Sequence, residues 1–114
     1  MISHSLSKYD VDYFNKNGFW VSPVLINEDE ISLIRYHFDK VKSGHFSTGI
    51  SPYKYKAIKK HQKKTIKLTN CYQANHHLSR FILSEGIASI AAQLLNILKI
   101  RFWRDHIWEK SPKS

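Results

Sequence analysis

The sequence predicts an α+β fold, and three observations support this prediction. Two helices with capping signals lie in the first 44 residues, a helical pair follows at 75–96, and residues 99–110 alternate in the manner of a strand. Hydrophobic residues make up 42% of the 114 residues and charged residues 24%, which is an ordinary globular mixture and excludes a wholly disordered chain. This length allows at most one domain or part of one, so we treat residues 1–114 as a single partial domain.

Residues 1–44 are expected to form a helix, a short strand and a second helix. Ser7 followed by Asp10 is a capping box for the first helix, and Asn17-Gly18 is a typical end signal. The β-forming residues 19–21 (FWV) predict a short strand that stops at Pro23.

The second helix begins after Asn27, where Glu30 completes another capping box. Its apolar residues recur at helical spacing and predict a buried stripe formed by Ile31, Ile34, Phe38 and Val41. Ser43-Gly44 should end this helix.

Residues 45–74 are predicted to be a long basic loop with at most one short helix or strand. The net charge of +9 is concentrated here, because no acidic residue lies between Lys40 and Ser84 while ten positive charges do. Gly49, Pro52 and two lysine pairs interrupt any clear period. A loop of this length is usually functional or mobile.

Residues 75–96 are predicted to form a helical pair. Asn75 is the expected N-cap of a short helix, and Ser84 is the expected N-cap of a stronger one that ends at Asn96. The second helix presents a full apolar face, consisting of Ile87, Ile90, Ala91, Leu94 and Leu95.

Residues 99–110 are expected to be a pocket-lining strand, because both of its faces mix large aromatic side chains with charged groups. The alternative is a solvated edge strand. One strand near residue 20 and one near residue 105 would not make a stable sheet, since three or more strands are usually needed. We therefore expect an incomplete architecture, and an isolated chain that aggregates or is partly molten.

Several classes of protein are excluded or disfavoured by composition. The sequence contains no run of 18 apolar residues, so it predicts no membrane span. The N-terminus lacks the pattern of a secretory signal. The single cysteine, Cys71, excludes an internal disulfide framework and is expected to be a buried structural thiol. The default compartment is therefore the cytoplasm.

Several blocks of the sequence resemble the phytanoyl-CoA dioxygenase family. Residues 6–19 (LSKYDVDYFNKNGF) resemble the opening of that family, and residues 90–95 (IAAQLL) resemble the helix before its first core strand. Residues 101–105 (RFWRD) with Lys110 and Pro112 are similar to the family's Arg-Leu-Trp-His-Asp-Gln…Lys-Pro-Pro strand. His106 stands where Gln is common, and residues 54–67 do not align.

The resemblance implies a non-haem Fe(II)- and 2-oxoglutarate-dependent dioxygenase on a double-stranded β-helix, or jelly roll. Such an enzyme hydroxylates a small-molecule substrate while 2-oxoglutarate is converted to succinate and CO2. Two histidines and a carboxylate hold the iron, and the family's His-x-Asp pair follows the Lys-Pro-Pro strand. This chain matches only the part before that pair, so the expectation is an N-terminal portion that neither holds iron properly nor turns over by itself.

His106 is the one cofactor-binding residue that the resemblance assigns, because the position four residues before the strand's Lys faces the 2-oxoglutarate pocket in the family. Lys110 falls on the same face by alternation, where its ammonium attracts an anion. No catalytic or metal-binding residue is assigned. His37-Phe38-Asp39 matches His-x-Asp as a string, but residues two apart on a helix point away from each other.

His76-His77 is rejected as a metal site for a similar reason, since adjacent residues diverge and no carboxylate lies nearby in sequence. The competing function is a small basic nucleic-acid-binding protein that uses Lys54–Lys67. That segment interleaves tyrosines with lysines, which suits phosphate contacts and base stacking. No recognition helix or RNA-binding fingerprint accompanies it, and a solvated loop is the structural alternative.

Overall fold

The computed structural model describes residues 2–60 and 63–112, with the side chains of residues 54–60 and 63 left out of the description. Within these residues the chain forms four α-helices, one 3-10 turn and a three-stranded antiparallel sheet of order β1-β2-β3. In chain order the elements are α1 (Lys8–Asn17), α2 (Glu28–Lys42), β1 (Lys54–Lys60), β2 (Lys63–Thr69), the 3-10 turn (Cys71–Gln73), α3 (His76–Ile82), α4 (Glu85–Leu95) and β3 (His106–Lys110).

The chain divides into two compact units, each made of two segments. The first unit contains Met1–Leu33 and Leu83–Phe102, and the second contains Ile34–Ile82 and Trp103–Ser114. The chain therefore passes from one unit to the other three times. The α+β content agrees with the sequence prediction, whereas the single domain expected from the length consists of two units.

In the first unit, α1 begins and ends where the sequence predicts. The Ser7 hydroxyl accepts from the Asp10 amide at 3.2 Å, and the Asp10 carboxylate accepts from the Ser7 amide at 2.9 Å. Gly18 closes the helix with a left-handed φ of 79°. The capping box is confirmed because it depends only on neighbours along the chain.

The predicted strand at residues 19–21 is wrong, since these residues form no strand. Their aromatic side chains pack back toward α1 instead of entering a ladder. The Trp20 indole donates to the Asp10 carboxylate at 3.1 Å, and the Phe19 ring meets Tyr13 edge-on at 5.6 Å. These contacts hold the segment beside its own helix.

The N-terminal segment is tied to α4 by one side chain. Gln93 accepts from the Leu6 amide at 3.0 Å and donates to the His4 carbonyl at 3.2 Å. A side chain at Gly86 would collide with the backbone of Ile2, so this helical glycine allows the close approach. α4 itself begins at the predicted Ser84 cap and ends at Asn96 with φ 54°.

α2 also has its predicted capping box. The Asn27 side chain accepts from the Glu30 amide at 2.8 Å, and the Glu30 carboxylate accepts from the Asn27 amide at 3.1 Å. Within the predicted apolar stripe, Phe38 and Val41 are buried, whereas Ile31 remains 37% exposed. The division between the two units falls inside this helix, between Leu33 and Ile34.

Among the described residues, the segment His76–Leu95 is long and apolar enough to cross a membrane, with a mean hydropathy of 1.3. This segment is not one continuous helix, because Ser84 adopts an extended conformation and is the N-cap of a new helix. α3 has 7 residues and α4 has 11, and a spanning helix needs about 20.

The predicted loop at 45–74 is wrong over most of its length, because it contains an antiparallel hairpin. β1 pairs with β2 from Lys54 opposite Thr69 to Lys60 opposite Lys63. In β2 the inward residues Ile66 and Leu68 are buried on either side of Lys67, which is the period-two pattern of a half-buried strand. The frequent lysines obscure that short pattern in the sequence.

The strand predicted at 99–110 is confirmed only for its second half. Residues 100–105 form no strand, and β3 pairs with β2 from Lys110 opposite Thr65 to His106 opposite Thr69. β3 therefore completes a three-stranded sheet. The expectation that too few strands are present to form a sheet is overturned by this hairpin.

The core of the second unit lies between the inner face of β2 and the helices α2 and α3. The buried residues that form it are Phe38, Val41, Ile66, Leu68, Cys71, Ala74 and Leu78. Ile107 of β3 and Ile34 of α2 pack against its rim. This core covers the inner face of the sheet, whereas the opposite side of β3 is exposed.

Candidate functional site

The surface of the sheet opposite the core carries aromatic and basic side chains. We call this surface the outer face and define it by Lys67 of β2 with His106, Trp108 and Lys110 of β3. The alternating exposure of β3 places His106, Trp108 and Lys110 on the exposed side and Ile107 and Glu109 on the inner side.

His106 and Lys110 share the outer face, as strand alternation predicted. The Oγ1 atom of Thr69 lies 3.3 Å from Nδ1 of His106, which positions the imidazole at one end of the face. Lys110 lies four residues along the same strand. Four residues along a strand correspond to about 13 Å, so Trp108 stands between the two groups. The ammonium of Lys110 can attract an anion to this face.

Trp108 is the centre of the outer face and is 54% exposed. The Lys67 ammonium lies 4.8 Å from the centroid of its ring, across the pair of strands. This cation–π contact keeps a positive charge beside an accessible aromatic surface.

A second aromatic–cation pair precedes β3 and borders a shallow cavity of about 200 Å³. The Arg104 guanidinium lies 5.5 Å from the centroid of Trp103, whose side chain is 81% exposed. Asn70 and Thr69 also line this cavity, and Oδ1 of Asn70 is buried with no hydrogen-bond partner among the described residues. That oxygen can accept from a ligand that carries an N–H group.

Asp105 connects the outer-face strand to the core of the second unit. Its carboxylate accepts from the amides of Cys71 at 2.9 Å and Tyr72 at 3.1 Å, and its carbonyl accepts from Asn70. On the inner side, the Lys42 ammonium contacts both carboxylate oxygens of Glu109 at 2.8 and 2.7 Å. Burial opposes the charge of Lys42, but the Glu109 and Asp39 carboxylates outweigh it and raise its pKa.

The structure also brings together two histidines that are 40 positions apart. The rings of His37 and His77 stack at 4.5 Å with an interplanar angle of 12°. Asn75 contacts Nδ1 of His37 through Nδ2 at 3.1 Å. The Asn75 oxygen accepts from the Leu78 amide at 2.9 Å, which fixes the orientation of the side-chain amide.

This orientation sets the protonation state of His37. Because Nδ2 of Asn75 is a donor, Nδ1 of His37 must accept, and the imidazole is neutral with its proton on Nε2. Burial and the positive charges of His77, Arg80 and Lys40 lower the pKa of His37, which favours the same state.

A cavity of about 500 Å³ opens beside this pair, and we call it the His37 cavity. Its lining includes Tyr36, His37, Lys40, His45, Phe46 and Asn75. The side chains supply aromatic walls, imidazole and ammonium groups, and no carboxylate.

The structure joins one histidine from each rejected metal string, His37 and His77, but the carboxylate of Asp39 does not join them. His37 contacts Asn75 and His77, whereas Asp39 pairs with Lys42 at 2.9 Å. Among residues 2–60 and 63–112, no group of three or more His, Cys, Asp or Glu side chains is placed to hold a metal ion. The described residues therefore do not by themselves supply the two histidines and the carboxylate of the iron site that the family resemblance implies.

Two further sequence predictions concern Cys71 and the basic segment Lys54–Lys67. Cys71 is fully buried, and burial together with the Asp105 charge raises the pKa of its thiol to about 12, as expected of an unreactive structural thiol. Within the predicted basic segment Lys54–Lys67, the described residues form the paired strands β1 and β2 rather than a loop, and the side chains of residues 54–60 and 63 lie outside the description.

Comparisons with models of protein families, with curated proteins and with solved structures find no match to this chain. The geometry of the second unit is therefore the basis for assigning a function.

The sequence analysis missed the His37 pair because its members come from different helices. One signal was present: Asn75 is an N-cap directly followed by two histidines, so a buried cap would place at least one of them near the core. The hairpin was also missed, although residues 65–69 (TIKLT) alternate between polar and apolar side chains.

Proposed function

We propose that this chain forms the N-terminal part of a cytoplasmic Fe(II)- and 2-oxoglutarate-dependent dioxygenase that resembles the phytanoyl-CoA dioxygenase family. The observation that carries the proposal is the outer face of β3, where His106, Trp108 and Lys110 occupy the exposed side of a strand at the sheet edge. A strand with a polar, aromatic and uncovered face suits one wall of a pocket whose other strands come from further sequence.

In this proposal the described residues contribute to cosubstrate binding and not to the metal. Lys110 offers a positive charge to a carboxylate of 2-oxoglutarate, and His106 offers a hydrogen bond. The iron, when bound, supplies the activation of O2, and its ligands must come from residues beyond those described. The substrate is a small molecule, and no membrane is involved.

The test begins with the intact mass of the native polypeptide in its source cells. We expect a mass well above the 13.4 kDa of this chain, together with succinate formation that depends on 2-oxoglutarate. In that native polypeptide, His106→Ala should raise the KM for 2-oxoglutarate several-fold, and His76→Ala is the matched control. A native mass of 13.4 kDa, or no succinate from the longer polypeptide, would overturn the proposal.

A second candidate function is binding of single-stranded nucleic acid, and a specific feature favours it. Trp103 and Trp108 are both exposed, and each lies beside a cation, Arg104 and Lys67 respectively. Proteins that bind single strands use aromatic side chains to stack on bases and cations to neutralise phosphates. The Oδ1 atom of Asn70, which has no hydrogen-bond partner among the residues described, suits an amino group on a base.

The register of the hairpin adds to this candidate. Lysine stands opposite lysine at three positions: 56 and 67, 59 and 64, and 60 and 63. This register concentrates lysine residues along the two strands, and a concentration of positive charge attracts a polyanion.

The two functions are separated by an oligonucleotide titration of the purified chain. Nucleic-acid binding predicts that a fluorescent oligothymidylate binds more weakly as salt rises from about 50 to 200 mM, and that Trp108→Ala weakens it further. Tyr9→Ala removes an exposed aromatic residue of the first unit and is the control. No saturable binding, or equal loss in both variants, would exclude this candidate.

A further inference from the structure

We propose that the His37 cavity is a binding site for a small organic oxyanion with an aromatic body, a carboxylate or a phosphate ester, distinct from the outer face of the sheet. The proposal stands on the shape of the cavity, the charges around it and the fixed hydrogen bond between Asn75 and His37.

The charge around the cavity is positive and is not neutralised locally. Lys40 on α2 and His77 and Arg80 on α3 all act on His37 electrostatically, and each disfavours its protonation. The ammonium of Lys40 lies over the Tyr36 ring at 5.4 Å, and no ion pair is found for it within the described part of the chain. The nearest acidic residue on α2, Asp39, is paired with Lys42. An anion in the cavity would provide the missing counter-charge.

The hydrogen-bond pattern leaves donors for such an anion. Asn75 is 2% exposed and uses its oxygen for the Leu78 amide and its nitrogen for Nδ1 of His37. The proton of His37 is consequently on Nε2, where it is available to an oxyanion. Asn75 thus selects the tautomer in the way that second partners of functional imidazoles do.

The aromatic side chains that line the His37 cavity indicate that the ligand carries a ring. Tyr36 and Phe46 line the cavity, which therefore combines aromatic surface with imidazole and ammonium donors. A volume of about 500 Å³ lies within the range of small-molecule sites. A ring that stacks on these walls while its oxyanion meets Lys40 and His37 satisfies both features.

Binding should change the titration of His37 in a defined direction. An anion removes the electrostatic opposition to the charged imidazole, so the bound state should have a higher His37 pKa than the free protein. By linkage, the anion binds more tightly as pH falls through this range. The groups facing His37 are Tyr36 and Lys40 from α2, Asn75, and His77 and Arg80 from α3.

The experiment follows the histidine imidazole resonances of the full chain by NMR during titration with benzoate, phenyl phosphate and benzyl alcohol. We expect saturable binding of one or both anions, an upward shift of the His37 pKa, and no comparable binding of the neutral alcohol. Benzoate binding alone identifies a carboxylate site, and phenyl phosphate binding alone identifies a phosphate-ester site. Equal binding of the alcohol, or no binding of either anion, would overturn the proposal.

A matched pair of lysine variants tests the location. Lys40→Met should weaken binding of the anions about fivefold or more, whereas Lys99→Met removes the same charge from the other unit and should leave binding unchanged. Equal effects would mean that the anion responds only to net charge, which contradicts a site in this cavity. Unchanged amide spectra of both variants show that the fold persists.

Discussion

Cys71 is enclosed by the core of the second unit, and its thiol should be protected from reagents. With a pKa of about 12, only about one thiol in ten thousand is ionised at pH 8, and the side chain has no exposed surface. We expect Ellman's reagent to react with the native chain far more slowly than with the chain in denaturant. Equal rates would mean that the core is open, as in a partly molten state.

His37 should make stability depend on pH. Its pKa is lowered in the folded state relative to an ordinary value of 6.5, so the unfolded chain binds more protons. The stabilisation is complete above pH 6.5 and is lost as pH falls through the lowered pKa. A thermal midpoint measured from pH 8 to pH 5 should therefore decline.

His37→Gln should flatten that decline, since glutamine does not titrate. His76→Gln is the control, because His76 is an exposed histidine on the same helix as His77, and its replacement leaves the His37 contacts in place. A decline of the same steepness in His37→Gln would assign the pH dependence to other groups.

At the scale of single elements, Asp105 holds the 3-10 turn against the start of β3. Asp105→Ala leaves the amides of Cys71 and Tyr72 without their acceptor, so the free energy of unfolding should fall by about 1–3 kcal/mol. Asp105→Asn retains one acceptor oxygen and should lose less. Denaturant unfolding of both variants checks the order, and an equal loss would contradict the two-bond role.

Leu68 of β2 makes the sheet depend on the core, since it has no exposed surface. Leu68→Ala should destabilise the chain by about 2–5 kcal/mol, because the helices cannot fully close the cavity that remains. Leu98 is 100% exposed, so Leu98→Ala makes the same change in chemistry and should alter stability by less than about 0.5 kcal/mol.

The elements also show what a single sequence can and cannot predict. The caps at Ser7, Asn27 and Ser84 were predictable because each depends on residues within three positions of itself. The hairpin was not recognised, since β2 has only two apolar residues, Ile66 and Leu68, in a strand with three lysines. Residues 19–21 have high β propensity, yet their contacts with α1 prevail because no neighbouring strand is available. The His37 pair required knowledge of helix packing, which periodicity does not contain.

For the whole molecule, the exposed apolar surface is the main determinant of behaviour in solution. Large side chains remain uncovered in both units, among them Val21, Val24, Leu98 and Trp103, which are 78–100% exposed. Surfaces of this kind mark interfaces or cause association. The sequence expectation of aggregation therefore stands as a prediction for the isolated chain.

Light scattering during gel filtration should show concentration-dependent association of the purified chain at micromolar concentration. We expect this association while Cys71 stays protected, because the exposed residues lie outside the buried core. A monodisperse monomer with one sharp thermal transition would contradict the proposal that further sequence covers these surfaces.

The interleaving of the two units has a consequence for the speed of folding. Each unit joins segments that are far apart along the chain: Leu6 bonds to Gln93 across 87 positions, and Lys64 bonds to Ser111 across 47. Such pairings require large loops to close before any contact compensates for the lost entropy. We therefore expect these two contacts to form later than the core of the second unit, whose buried residues lie in one continuous stretch from Phe38 to Leu78. During synthesis, β1 and β2 leave the ribosome before β3. One edge of β2 therefore has no strand to pair with until residues 106–110 have been released.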